Sequence, residues 1–275
     1  VILSYAATQI GNKHTMNITI TPLGTAMILL EIGTLRLLTD PVFDPPGGHY
    51  NFGWGTGSQK LTAPALTEDA LGHIDAVLLS HDHHDDNLDQ RGRAFLPRVS
   101  KVITTAAGER RLKGNAIGLH PWESTELISA DGLRVRITAT PAQHGPFFAR
   151  PLVGMVIGFI LEWEGQQHGA VYISGDTIWF RGIPEIARRF NIGTAILHLG
   201  GVRFPLYGPI RFTFSGSEAA RTARLLAPHT VIPIHYEGWK HFREKQAISE
   251  QAFRASGLAG RVRWLPLGVP AEIEV

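Results

Sequence analysis

The chain has 275 residues, a formal net charge of +2 and a hydrophobic content of 44%. This length permits one large domain or two small ones, and the apolar content is typical of a globular protein with a substantial core. The sequence pI is about 9.0, but Lys and Arg are scattered along the chain, so we expect no nucleic-acid partner. No apolar run reaches the roughly 18 residues of a transmembrane helix, so we expect no membrane span.

Cysteine is absent, whereas 13 histidines are present. Disulfide bonds and thiolate-bound metals are therefore excluded, and any metal ion has to be held by His, Asp or Glu. Residues 1–15 precede Met16 and are interpreted as an N-terminal extension, either an expression remnant or a precursor segment. We expect a cytoplasmic protein, or an exported one if this extension is the end of a signal. The sequence carries no signal of oligomeric state.

Hairpins dominate the first half of the chain, and helices alternate with strands in the second half. Strands are predicted over 17–24, 26–40 with a turn at Gly33, 74–80, 124–144 with a turn at Asp131-Gly132, 153–163, 168–176, 194–201 and 230–235. The prolines and glycines of 40–58 predict a loop. Helices are predicted over 183–190, over 216–227 with Ser215 or Ser217 as the N-cap, and over 242–256. Two mixed sheets packed face to face, with helices outside, accommodate this order in one domain over 16–275.

The segment "HDHHDDNLD" at 81–89 follows a short apolar strand and contains no Lys or Arg. His144, Asp176 and His235 come at or just after the ends of three other apolar strands. Scaffolds build sites where strands end, and neutral imidazoles with carboxylates suit zinc, manganese or iron. One such histidine alone would more readily be a hydrogen-bonded core residue. Together, the four clusters predict a metal site.

Six segments resemble, in the same order, those of metallo-β-lactamase-fold hydrolases, near L-ascorbate-6-phosphate lactonase and N-acylphosphatidylethanolamine phospholipase D. They are residues 23–46, 78–89, 140–146, 172–177, 198–201 and 233–239. The "PAQH" and "SGDT" pieces are specific when found together. The resemblance covers about 16–275 and implies an α+β fold, a four-layer αββα sandwich of two mixed β-sheets with a metal site at one edge.

The first motif departs from the family pattern His-x-His-x-Asp-His, which leaves two registers open. Matched from the left, the ligands are His81, His83 and Asp85. Matched from the right, where "DNLD" resembles the family "DHLD", the ligands are His81, His84 and Asp86. Resemblance to related sequences with His-Asp-x-His-x-Asp-Asn-Leu-Asp favours the second register. Asn87 then stands where the family has its last histidine.

The resemblance implies a first metal site and a second one next to it, with Asp176 bridging the two if two ions bind. The implied ligands are His81, His84, Asp86, His144, Asp176 and His235, with His83 and Asp85 as the alternative. In the family the histidine that Asn87 replaces helps to hold the second ion, and an amide oxygen is a weak ligand for zinc. We therefore expect Zn²⁺ or Mn²⁺ firmly at one site, and a second site that is weak, filled by a harder ion or empty.

The implied reaction is hydrolysis by a metal-bound hydroxide, because a bound cation lowers the pKa of water from roughly 15.7 to about 7. Asp86 is assigned to orienting this water and passing a proton to the leaving group. His235 is assigned to holding a second ion or stabilising the developing oxyanion. His198, at another strand end, is either a residue behind the site or a core histidine. Tyr236 and Trp239 are expected only in the wall of the site.

Aromatic residues give the only indication of the substrate. They lie at 52–55, 144–148, 176–180 and 203–212, beside or between the polar clusters. They favour a pocket for a small, partly apolar substrate, although rings that pack beneath loops would give the same pattern. Four arginines are candidates for binding a carboxylate or phosphate, or are plain surface residues: Arg150, Arg181, Arg203 and Arg211.

Three functions follow from these features. A hydrolase of an ester, lactone or phosphoester is preferred, with a lactonase-like reaction first. A catalytically weak metal-binding or ligand-binding member of the fold is the second, because Asn87 replaces a ligand. A nuclease-type phosphodiesterase is the third, and it is disfavoured because the basic residues do not cluster.

Overall fold

Two mixed β-sheets form the centre of the computed structural model, which describes residues 17–149 and 153–275. The N-terminal extension proposed over 1–15, and Arg150, lie outside the described residues. Among the described helices, none has the length and apolarity needed to cross a bilayer.

The first sheet has seven strands, four of which run parallel to one another. In their order across the sheet they are β15 (Ala271–Ile273), β1 (Ile18–Gly24), β2 (Met27–Ile32), β3 (Leu35–Thr39), β6 (Ala76–Leu78), β7 (Lys101–Thr105) and β8 (Ala116–Leu119). The parallel strands are β3, β6, β7 and β8, so their carboxyl ends meet at one edge.

The second sheet has six strands. In order they are β14 (Thr230–Ile234), β13 (Ile192–His198), β12 (Ala170–Ile173), β11 (Ile157–Glu162), β10 (Arg134–Pro141) and β9 (Ser124–Ile128). Strands β12, β13 and β14 are parallel. Two successive antiparallel pairings separate β10 from β12, so β10 runs in the same direction as these three strands.

Five described helices flank the sheets: α1 (Gln90–Phe95), α2 (Ala106–Leu112), α3 (Gly182–Arg189), α4 (Gly216–Leu226) and α5 (Gln246–Ala255). Ser215 is the N-cap of α4 and forms a capping box with Glu218, an arrangement that satisfies two free backbone N–H groups. The helix predicted over 242–256 begins later, at Gln246. The preceding residues are held by tertiary contacts instead, since Phe242 is buried in an aromatic cluster and Glu244 accepts a hydrogen bond from the Gly216 N–H.

The main core lies between the two sheets. Ile28 and Leu78 from the first sheet pack in one cluster with Phe159 and Ile196 from the second. Separate clusters fill the outer faces, one including Phe95 of α1 and the other including side chains of α3 and α4. Strands near the centre of each sheet are therefore buried on both faces. The α+β fold with two mixed sheets that the sequence predicts is confirmed.

The prediction of a loop over 40–58 is wrong for its second part, because residues 49–59 form a two-stranded hairpin of β4 (His49–Gly53) and β5 (Thr56–Gln59). Gly53 and Gly55 adopt positive φ angles of 82° and 74° around its tip, which glycine tolerates without a steric penalty. The glycines that suggested an irregular loop thus make the turn of a hairpin. Phe52, on this hairpin, packs against the imidazoles of His84 and His241.

A buried ion pair anchors the hairpin to the end of the 81–89 loop. Lys60 Nζ lies 2.9 Å from Asp89 Oδ2, and the two side chains are 2% and 0% exposed. Asp89 also accepts hydrogen bonds from the N–H groups of Phe43 and Asp44 and caps α1 through the N–H of Gly92. The loop, the hairpin and α1 are therefore fixed by one carboxylate.

We expect Lys60→Met to lower the free energy of unfolding by about 3–5 kcal/mol, because removing one partner leaves the other charge buried and unpaired. Unfolding in guanidinium chloride measures this loss. Arg98→Met is the control, since it breaks the exposed pair with Asp69 and should cost less than about 1 kcal/mol. Equal, small losses for both variants would contradict the anchoring role of Lys60.

Candidate metal centre

The candidate site lies where strand ends from both sheets converge. The 81–89 loop follows β6 of the first sheet. His144, Asp176 and His235 follow β10, β12 and β14 of the second. Because these strands all point the same way within their sheets, short loops bring their polar residues to one edge. His235 follows β14 directly and takes a positive φ of 62°, an uncommon conformation for a residue other than glycine.

Three histidines form the first group of converging ligand atoms. One nitrogen each from His81, His84 and His144 lies within 4.8 Å of the others. His144 Nε2 is 3.2 Å from His84 Nδ1. Two nitrogens bound about 2.0 Å from a tetrahedral ion are roughly 3.3 Å apart. The spacing of these two nitrogens therefore suits a shared ion.

The outward nitrogens of this group are already occupied. His144 Nδ1 lies 2.7 Å from the backbone oxygen of Phe212, and His81 Nδ1 lies 2.9 Å from Ser80 Oγ. A carbonyl oxygen can only accept, so Nδ1 of His144 carries the proton and its Nε2 keeps a free lone pair. This pattern, in which one ring nitrogen is held by the protein, is how metal-binding histidines are oriented.

The electrostatics of the first group favour neutral imidazoles. Burial, together with the neighbouring His84, lowers the pKa of His144 to about 3. Burial and the same neighbour hold the pKa of His81 well below its usual range. Metal ligands have to be deprotonated, so near neutral pH a cation would meet no competing proton on His81 or His144.

Two carboxylates and a histidine form the second group, made of Asp86, Asp176 and His235. His235 Nε2 lies 3.7 Å from Asp86 Oδ2 and 3.6 Å from Asp176 Oδ1. The other oxygen of Asp176, Oδ2, is 3.9 Å from His144 Nε2 in the first group. Asp176 thus turns one oxygen toward each group, as a bridging carboxylate would.

Several polar atoms that face this space have no hydrogen-bond partner within the described ranges. They are His81 Nε2, Asp86 Oδ1, Asp176 Oδ1 and Oδ2, and His235 Nε2. Buried polar atoms are almost always paired, because leaving one unpaired costs about 1–3 kcal/mol or more. One divalent cation in each group would together satisfy these atoms, so the residues present fit such ions.

The structure keeps the residues of the alternative register apart from both groups. His83 Nε2 lies 3.0 Å from Arg111 Nη2, so its ring is engaged at the side of the loop. Asp85 is half-buried and belongs to neither group. The right-hand register, with His84 and Asp86, is therefore the one whose side chains converge.

Two site residues were not singled out from the sequence. Asp40, at the end of β3, accepts a 2.7 Å hydrogen bond from the N–H of Ser80 and lies 3.6 Å from His198 Nε2. His241 Nε2 lies 3.0 Å from Asp86 Oδ2. Asp40 follows the same strand-end rule as the other site residues and could have been found by it. His241 is six positions beyond His235 in a loop, where no periodicity indicates its direction.

A third group, His168, His229 and Glu274, lies at the surface, with its two histidines just before the starts of β12 and β14 rather than after their carboxyl ends. The two imidazole rings stack with centroids 3.9 Å apart and planes 3° from parallel. The nitrogen lone pairs of two stacked, parallel imidazole rings do not converge on one ion. This group is therefore not arranged to hold a metal ion as the two buried groups are.

A narrow, largely apolar pocket of about 450 Å³, including space open to solvent, lies directly against the two groups. Its described lining residues are Phe52, Gly53, Trp54, Thr56, His84, Asp86, His144, Val153, Val202, Phe204, Tyr207, Phe212 and His241. The rings at 52–55 and 203–212 thus face the site. Phe147 and Phe148 are instead exposed. Trp239 is buried against Tyr50 and Phe52.

The arginines proposed as anion binders have other partners or lie outside this lining. Arg211 pairs with Glu218 at 3.1 Å. Neither Arg181 nor Arg203 is among the described residues that line the pocket. Tyr236, expected in the wall, packs instead against Trp264 in the cluster on the outer face of the second sheet.

The family model described as the β-lactamase superfamily domain matches residues 35–236. The chain belongs to this superfamily, and specifically to its metal-dependent hydrolases with the metallo-β-lactamase fold. A UPF0173 metal-dependent hydrolase of Methanoregula boonei is 30% identical over 243 residues, which cover 86% of this chain and 88% of that protein. A relative with the same description from Pelotomaculum thermopropionicum is 29% identical, over 92% of this chain and 99% of its own.

Solved structures show the same fold at lower identity. The isothiocyanate hydrolase from Delia radicum gut bacteria superposes with a TM-score of 0.78 at 22% identity, covering 94% of this chain and 100% of that one. Igni18, a metallo hydrolase of Ignicoccus hospitalis, gives 0.69 at 21% identity, covering 94% and 99%.

Replacing each histidine of the two registers in turn separates them. We expect His84→Ala to lower the bound Zn²⁺ by about one equivalent, because a three-histidine site loses a direct ligand. His83→Ala is the matched control and should retain the wild-type content. Elemental analysis after dialysis against dilute Zn²⁺ measures both. Loss of metal from His83→Ala, with wild-type metal content in His84→Ala, would instead support the register with His81, His83 and Asp85 as ligands.

Metal binding to the two groups should differ in its pH dependence. Burial lowers the pKa of His235, but the carboxylates of Asp176 and Asp86 outweigh it and raise the pKa to about 9. An ion entering the second group has to displace this proton at any pH below that value.

We therefore expect affinity for the second ion to rise about tenfold per pH unit between about pH 7 and 8.5, with about one proton released. Affinity for the first ion should stay nearly constant in the same range. Calorimetric titration of the metal-free protein in buffers of different ionisation enthalpy measures both quantities. A second binding step that releases no proton would contradict the protonation assigned to His235.

Proposed function

We propose that this metal-dependent hydrolase cleaves a lactone or ester bond in a small, uncharged and largely apolar molecule. The observation that carries the proposal is the apolar pocket that opens directly onto the two ligand groups. Aromatic and aliphatic walls beside a few convergent polar groups are typical of small-molecule sites.

The charge of the lining supports an uncharged substrate. Among the described residues that line the pocket there is no Lys or Arg. Recognition of phosphodiesters and nucleic acids usually relies on such cations. The nuclease-type alternative is therefore less well supported than a neutral ester or lactone.

We assign His81, His84 and His144 to the first ion. Asp86 and His235 are assigned to a second ion, with Asp176 between the two. When bound, the cation supplies an acidified water as the nucleophile and polarises the carbonyl oxygen that is attacked. The chain itself holds the ligands in place, keeps the first group neutral and surrounds the reacting bond with apolar side chains.

Asp86 is assigned to orienting water and moving a proton. It faces the pocket, and its Oδ1 has no partner among the described residues. Burial raises the pKa of Asp86, but the nearby imidazole of His235 and the hydrogen bond with His241 outweigh it and hold the pKa well below its usual range. An ionised carboxylate can orient the attacking water, take its proton and then give that proton to the leaving group, because its low pKa does not favour retaining it.

The role of His235 depends on how many ions bind. With two ions it is a ligand. With one ion it stays protonated, since its pKa is raised to about 9 by Asp176 and Asp86 against the effect of burial. An imidazolium in this position stabilises negative charge that develops on the substrate oxygen.

A substrate panel tests the proposal. It contains an aliphatic lactone, a neutral aryl ester, benzyl isothiocyanate and a bis-aryl phosphodiester. The isothiocyanate is included because one structural neighbour is an isothiocyanate hydrolase, and this substrate is also a small, uncharged electrophile. We expect turnover of the lactone or the ester that is lost with a chelator and restored by Zn²⁺ or Mn²⁺. Turnover of the isothiocyanate alone would contradict the lactone or ester assignment while leaving a metal-dependent hydrolase.

Each contrary result identifies another function. Faster cleavage of the phosphodiester than of every neutral substrate would support the phosphodiesterase. Tight metal binding with no turnover across the panel would support the catalytically weak member of the fold. Activity that is insensitive to complete metal removal would contradict the hydrolytic mechanism altogether.

A further inference from the structure

The second ligand group lacks one ligand of a full tetrahedral set. It offers Asp86 and His235 of its own and shares Asp176 with the first group, whereas a catalytic zinc site usually has three protein ligands plus a water. Asn87, which stands where the family pattern has a histidine, is fully buried with its Nδ2 3.4 Å from Ser80 Oγ. Its amide is thus directed toward the strand end and offers no imidazole nitrogen.

A different histidine is in contact with this group. His241 is 3% exposed, and its Nε2 lies 3.0 Å from Asp86 Oδ2. It comes from the loop after β14, 154 positions beyond Asn87 and on the opposite sheet. We propose that His241 supplies the nitrogen ligand for the second ion that position 87 does not provide. This inference rests on the proposed metal-dependent function.

The ring of His241 is held in a fixed plane by its neighbours. Phe204 stacks on it at 5.5 Å with planes 18° apart, and Phe52 meets it edge-on at 5.4 Å and 82°. The backbone just before it is also fixed, because Trp239 forms a bridge with Lys60 and the Lys240 N–H donates to the Gln59 oxygen. A buried ring in an aromatic slot loses little further freedom on binding an ion.

Ser58 allows either nitrogen of His241 to carry the proton. His241 Nδ1 lies 2.6 Å from Ser58 Oγ, and a hydroxyl can donate or accept. Without an ion, Nε2–H donates to Asp86 and Nδ1 accepts from Ser58. With an ion, Nδ1–H donates to Ser58 and the lone pair of Nε2 is free to bind. The change moves one proton from Nε2 to Nδ1 by exchange with solvent, and it turns the Ser58 hydroxyl from donor to acceptor.

Binding also requires a small movement of the ring. His241 is not among the atoms that already lie within 4.8 Å of one another, so its Nε2 has to move from Asp86 toward the ion. Asp86 Oδ2 is the atom of this group that His241 Nε2 contacts. An ion bound to this oxygen would therefore also be within reach of His241 Nε2. His241 would thus close on the ion as it binds, in contrast to the three histidines of the first group, whose nitrogens already converge.

The test separates a ligand from a residue that only positions Asp86. His241→Gln keeps an N–H that can donate to Asp86 but removes the imidazole nitrogen. The metal-free full chain is titrated with Zn²⁺ against a chromophoric chelator, which yields a dissociation constant for each equivalent. We expect the first to remain within about threefold of wild type and the second to weaken at least about 100-fold.

Two further variants complete the design. Ser58→Ala keeps the histidine but removes the partner of Nδ1, and it should weaken the second equivalent about tenfold while leaving the first unchanged. His73→Gln is the matched control, since the imidazole of His73 is exposed and pairs with Asp75 away from the site. If His241→Gln does not fold, as judged by circular dichroism, the Ser58→Ala result decides.

Each outcome has one meaning. A wild-type chain that binds two ions, with the second lost selectively in His241→Gln, supports the proposal. Unchanged affinity for both ions in His241→Gln overturns it, as does a wild-type chain that binds only one ion, and in both cases the proposed hydrolase stands. A wild-type chain that binds no ion removes the proposed function as well.

Discussion

The site depends on the cost of burying charged and polar atoms without partners. Two carboxylates and several imidazole nitrogens face one space at the edge of the sandwich, and five of their atoms have no partner among the described residues. Packing of the two sheets holds them there, because each side chain follows a strand whose apolar residues are fixed in the core. Folding therefore maintains an arrangement that a cation in each group would satisfy.

The parts of the site that follow buried strands could be predicted from the sequence. His144, Asp176 and His235 each come after an apolar run whose direction in a sheet is fixed by burial. The register of the 81–89 loop is harder to predict from the sequence, because His83 and His84 are adjacent and both are compatible with a metal motif. The structure distinguishes them by their partners, since His83 contacts Arg111 while His84 faces His144.

The hairpin of β4 and β5 and the position of His241 could not be predicted. Glycines occupy the tip of this hairpin and weaken its alternation of apolar and polar residues, so the local sequence resembles an irregular loop. His241 approaches Asp86 only because its loop pairs with the hairpin at Lys60 and Gln59. Contacts between segments so distant in the chain are set by tertiary packing, which propensity and periodicity do not report.

The ion pair between Lys60 and Asp89 has a thermodynamic consequence for the enzyme cycle. Lys60 ends the segment that carries the aromatic wall of the pocket, and Asp89 ends the loop that carries His81, His84 and Asp86. An interaction that restricts the motion of either segment therefore restricts the motion of the other. Since linkage between two ligands is reciprocal, an occupied pocket would strengthen cation binding by the same free energy with which the cation strengthens binding in the pocket. A single coupling free energy would thus stabilise both the bound ion and the bound substrate.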